Sequence, residues 1–101
     1  MAISNRPWGA FAESDYTDEQ WYAACLIKPP RADYTAKGQC KLPVLEPGGD
    51  LNRNGVHAAA AALAGARGGI QATPQEKRAA ARALIGFYRQ LEEEPPESLV
   101  R

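Results

Sequence analysis

Apolar positions in the second half of the chain recur at helical spacing. Ala80, Ala81, Leu84, Phe87, Tyr88 and Leu91 fall three and four apart, the stripe of an amphipathic helix. Thr73-Pro74-Gln75-Glu76 marks its start, with threonine at the N-cap, proline at the first helical position and glutamate at the third. Pro95-Pro96 stops it, so the pattern predicts a helix over 74–92. Upstream, Asn54 reads as the N-cap of a second helix that carries Val56, Ala60 and Leu63 and ends at Gly65, predicted over about 54–66. The two form a helical hairpin joined through Gly68-Gly69.

The first half has no such period. Pro7, Pro29, Pro30, Pro43 and Pro47 exclude long helices and central strands there. Thr17-Asp18-Glu19-Gln20 is a second capping box and predicts a short helix near 18–25, with Trp21 and Cys25 on one face. Residues 41–45 suit at most a short edge strand, and Pro47-Gly48-Gly49-Asp50 a turn. The expected fold is therefore mainly α, one small domain over 1–101. Its parts are an extended arm (1–14), an irregular segment with a short helix (15–50), the hairpin (54–92) and an extended tail (93–101).

Composition limits how this fold is held together. Of the 45% hydrophobic residues in 101, nineteen are alanine, so large apolar side chains are scarce. Over 58–62 the first hairpin helix is pure alanine and needs bulk from elsewhere: Phe87, Tyr88 and the aromatics of the first half. That half holds six of the eight aromatics: Trp8, Phe11, Tyr16, Trp21, Tyr22 and Tyr34. A chain this poor in large side chains draws part of its stability from a partner. Cys25 and Cys40 read as buried small hydrophobes, with a disulfide open to them outside the cell.

Charge is balanced, twelve basic against twelve acidic residues, which argues against a partner held by bulk positive charge. The apolar run 58–64 is far below the roughly 20 residues of a membrane span, and no secretory leader is expected at Met1. Candidate chemistry is sparse. Asp50, Asn52, Asn54 and Gly55 imitate a calcium loop, but Ala58 and Ala61 stand where its ninth and twelfth positions need ligands. His57 is the single histidine, without paired metal-ligand spacing, and 65–69 lacks the lysine-hydroxyl ending of a phosphate loop. No catalytic, cofactor or metal site is expected, and the chain is not read as an enzyme.

Two surfaces remain. Trp8, Phe11, Trp21, Tyr22 and the tail residue Leu99 are candidate anchors in a partner's groove, against the plainer reading that the aromatics cover the alanine helix. Arg78, Arg82 and Arg89 lie along one side of the long helix and are the candidate nucleic-acid contacts, against the plainer reading of a solvated face.

Several blocks occur in a set order: Asp15-Tyr16-Thr17-Asp18-Glu19-Gln20-Trp21, Ala24-Cys25-Leu26-Ile27, Cys40-Lys41-Leu42-Pro43-Val44 and Leu51-Asn52-Arg53-Asn54-Gly55-Val56-His57. Tyr88-Arg89-Gln90-Leu91 and Glu94-Pro95-Pro96-Glu97-Ser98-Leu99 complete the series. Over 15–99 the chain resembles a family of small domains of actinobacterial tailed phages and prophages, associated with head morphogenesis, alone or attached to capsid maturation proteases. The resemblance implies a virion structural protein: a minor capsid or decoration protein that binds the major capsid protein, and copies of itself, in the capsid lattice. It transfers no catalytic residue. The alternative is a nucleic-acid-binding or head-assembly factor that uses the arginine face.

Overall fold

The computed structural model describes residues 2–65 and 69–100. Its helices are α1 (Asp18–Ala24), α2 (Arg53–Leu63), α3 (Pro74–Gln90) and α4 (Glu97–Val100). Its strands are β1 (Ile3–Ser4), β2 (Cys25–Ile27), β3 (Lys41–Pro43) and β4 (Leu51–Asn52), with one-turn 3-10 helices between them.

The expectation of a mainly α domain with at most one edge strand is corrected. The described residues hold two two-stranded sheets: β1 parallel to β4, and β2 antiparallel to β3. Segment 41–45 is no edge either. Val44 donates its N–H to Ala24 O at 2.9 Å, Asn52 N–H donates to Val44 O at 2.9 Å, and Leu45 bridges Leu51. These bonds join the sheets into a ribbon ordered β2, β3, β4, β1. Pro43 is tolerated there because the ladder is three residues long and the adjacent Val44 supplies the donor to Ala24.

Helix starts follow the local chemistry. Thr17 accepts from Gln20 N–H while the Gln20 side chain takes Thr17 N–H, and Thr73 with Glu76 repeats the arrangement. α2 starts two residues earlier than expected: Asn52, not Asn54, is the N-cap, and it accepts Gly55 N–H at 2.7 Å. The predicted end near 66 moves to Leu63, with Gly65 in the left-handed region at φ 110. The junction at Ala66, Arg67 and Gly68 lies outside the described residues.

α3 ends at Gln90 rather than 92. Glu92 takes φ 58, its N–H donates to Arg89 O, and Glu93 N–H donates to Tyr88 O. This is a Schellman cap built without glycine, at a cost of about 1 kcal/mol for the left-handed side-chain-bearing residue. The tail is not extended: α4 folds back so that Leu99 is 5% exposed.

Two cores result. The larger joins Ile27, Leu42, Val44, Leu51 and Val56 to Ala59, Ala60, Ala80, Leu84, Tyr88, Leu91 and Leu99. The smaller holds Tyr16, Trp21, Ala24, Cys25 and Cys40. The buried aromatics of the first half therefore do not cover the alanine helix; its buried face meets the β ribbon and α3.

Candidate functional site

The N-terminal arm lies across the start of α2, docked rather than free. Leu51 N–H donates to Ala2 O at 2.9 Å, and Ile3 and Ser4 pair in parallel with β4. The side-chain amides of Asn52 and Asn54 donate to Arg6 O at 3.1 and 3.0 Å, and Arg53 Nε donates to Asn5 Oδ1 at 2.8 Å. Trp8 then lies against Gly55: a Cβ there would meet its ring atoms at 3.0–3.1 Å. Only glycine admits the indole at that distance.

Asn52 is the pivot of this arrangement. It is fully buried, Oδ1 capping α2, while Nδ2 donates to Arg6 O and, at 2.8 Å, to Glu46 Oε2. Glu46 is itself 5% exposed, with Arg6 Nη1 3.9 Å from its other oxygen. One amide thus ties the arm, the 46–50 turn and α2 together.

The five candidate anchors separate into two groups. Trp21 is buried, donates Nε1–H to Lys37 O at 2.9 Å and meets Tyr16 edge-on with centroids 5.0 Å apart. Tyr22 donates its hydroxyl to Pro29 O at 2.7 Å and packs edge-on with Tyr34, beneath Lys28 and Arg31. Leu99 belongs to the larger core. These three are engaged within the chain. Trp8 and Phe11 are half-buried on the arm with centroids 5.9 Å apart, Trp8 against Gly55 and Phe11 against the smaller core, and neither makes a side-chain hydrogen bond among the described residues; Ile3 on the same arm is 40% exposed.

Arg78, Arg82 and Arg89 are exposed on α3, within an arc of about 40° and over about 16 Å of helix. Among the described residues none of them makes an ion pair. Glu92 and Glu94 are exposed at the Arg89 end, while two nearby acids are otherwise engaged, Glu76 by Thr73 and Glu93 by Arg53 and His57.

That last cluster closes the open end of the hairpin. His57 Nε2 lies 2.7 Å from Glu93 Oε1, its ring stacked on Tyr88, and Arg53 pairs with the other Glu93 oxygen. The His57 hydrogen bond and then the Arg53 hydrogen bond hold the Glu93 carboxyl below the ordinary carboxylate range. The pair ties the start of α2 to the chain just past the end of α3. A cavity of about 260 Å³ lies between α1 and the 46–50 turn, lined by Glu19, Gln20, Ala23, Leu45, Glu46, Pro47, Gly48 and Gly49. Both of its carboxylates already have partners within the chain. Among the described residues no group of three or more His, Cys, Asp or Glu is placed to hold a metal ion, and no helix is long and apolar enough to cross a membrane. The calcium-like sequence at Asp50 forms the β4 strand and the first turn of α2.

Sequence reasoning missed Asn52, Glu46 and Gly55. A glycine in the first turn of a helix, where it weakens the helix, was the available signal of a close approach. Comparison with family models, with curated proteins and with solved structures finds no match for this chain.

Proposed function

We propose that this chain is a virion structural protein of a tailed phage, a minor capsid or decoration protein that binds the major capsid shell and stabilises it by protein contacts. The sequence blocks over 15–99 give the class. The observation that supports the docking surface is the arm, where Ile3 is exposed and the adjoining rings of Trp8 and Phe11 are only half-buried. Aromatic anchors of this kind commonly dominate interface energy, and a repeating lattice multiplies weak contacts. Trp21, Tyr22 and Leu99 have no part in this surface, because each is used inside the fold. Partners are the major capsid protein and neighbouring copies of the chain, with assembly in the host cytoplasm.

The test is co-sedimentation of the purified chain with shells built from the capsid protein of the encoding phage. Trp8→Ala with Phe11→Ala is expected to weaken binding at least tenfold, with the circular dichroism spectrum retained. Unchanged occupancy would remove the arm from the interface.

A second reading, a nucleic-acid-binding or head-assembly factor, is favoured by the unpaired row of Arg78, Arg82 and Arg89. It predicts DNA binding that falls steeply with salt and is weakened by Arg82→Glu. No binding at low salt would dispose of it.

A further inference from the structure

The smaller core contains two thiols that neither surface uses. Cys25 and Cys40 are 2% and 6% exposed, both unbridged, and packed into one buried cluster with Tyr16, Trp21 and Ala24. Their proximity needs an explanation, because Cys25 pairs with Pro43 in the ladder. Three residues of straight strand would carry Cys40 about 10 Å past that point. Within that stretch Leu42, at φ 62, turns the chain out of a straight strand. A left-handed leucine costs about 1–2 kcal/mol, so the path that leads Cys40 into the cluster of Cys25 is an unfavourable one locally.

We propose that Cys25 and Cys40 form a reversible oxidation site, closing an intramolecular disulfide with a low-molecular-weight disulfide such as oxidised glutathione as the oxidant. The Cys40 thiolate attacks one glutathione sulfur, breaks the glutathione disulfide and releases one glutathione thiolate. Cys25, after giving its proton to solvent, attacks the Cys40 sulfur of the mixed disulfide and expels the second glutathione. The protein loses two hydrogens, and one oxidised glutathione becomes two reduced ones. Burial raises both thiols, Cys25 up to about 12, and Cys40, at the edge of the segment that opens, is the first nucleophile. Access follows opening of segment 28–40, which is pinned to α1 by Tyr34 on Asp18, Arg31 on Glu19 and Trp21 on Lys37 O. The cross-link would make that attachment covalent. This inference stands independently of the capsid reading.

The test uses the full chain in a buffer of reduced and oxidised glutathione, with a thiol–disulfide oxidoreductase added so that slow exchange cannot pass for failure. The expected product is a monomer lighter by two hydrogens. It takes up no iodoacetamide when denatured and shows the Cys25 peptide joined to the Cys40 peptide. Its Tm rises by roughly 10 °C, as closing a loop of this size gives, and dithiothreitol reverses the rise; Cys40→Ala shows neither change. Two alkylatable thiols at equilibrium, a persistent glutathione adduct, disulfide-linked dimers or an unchanged Tm would overturn the proposal.

Discussion

Replacing Asn52 by alanine should be the most damaging single change outside the large apolar core. The variant removes the α2 cap made by Oδ1 to Gly55 N–H, worth about 1 kcal/mol. It also leaves the Glu46 carboxylate, 5% exposed, without its 2.8 Å amide donor. Loss of a charge-assisted bond at a buried group costs about 1.5–3 kcal/mol. The bond from Nδ2 to Arg6 O, one of the few holding the arm, disappears as well. The sum is about 3–5 kcal/mol, from a total of about 5–15 kcal/mol for a domain of this length. With an unfolding entropy of about 2 cal/mol/K per residue, Tm falls by about 15–25 °C. Urea unfolding followed by tryptophan fluorescence measures the loss, and a cycle with Glu46→Ala isolates the contact as a coupling of about 1.5 kcal/mol or more. A loss below about 1 kcal/mol at unchanged m would refute the view that this amide holds the arm, turn and helix together.

Three further outcomes follow from local geometry. Gly55→Ala gains about 1 kcal/mol of helix propensity, but its Cβ would sit 3.0 Å from the Trp8 ring. The expected result is little net change in stability with a red-shifted Trp8 emission, read in a Trp21→Phe background. Glu92→Gly removes the left-handed strain at φ 58 and should stabilise the chain by about 0.5–1 kcal/mol in urea. Glu93 is held below its ordinary value of 4.5 by His57 and Arg53; its contribution is present above that value and is lost as the pH falls through the depressed one. The stability difference between wild type and Glu93→Gln should therefore be constant above about pH 5.5 and shrink on acidification below it.

Features written within four residues were readable from the sequence. Thr17 with Gln20, and Thr73 with Glu76, each complete a capping box, so both helix starts fall where expected. Asn54 was the wrong choice of cap because two asparagines flank Arg53, and burial decides between them. Asn52 wins through Glu46 and Arg6, contacts that local spacing does not reveal. The sheets were illegible for the same reason: Ile3 meets Leu51 across the length of the first half, and two-residue strands leave no alternation to detect. Leu99 was read as an outward anchor because Pro95-Pro96 ended the preceding helix. Residues Glu97–Val100 instead start a new turn that returns it to the core. For the proposed surface, aromatic content singled out Trp8, Phe11, Trp21 and Tyr22 alike, and only the fold shows that the polar atoms of Trp21 and Tyr22 are already bonded inside.

The proposed capsid role is tested most directly by quantitative mass spectrometry of gradient-purified particles of the phage to which that proposal assigns the chain. A structural role on the lattice requires a copy number equal to that of the major capsid protein or a fixed fraction of it. That stoichiometry should collapse when Trp8 and Phe11 are both alanine. Absence from mature particles would contradict the decoration role and turn attention to the assembly factor and to Arg78, Arg82 and Arg89.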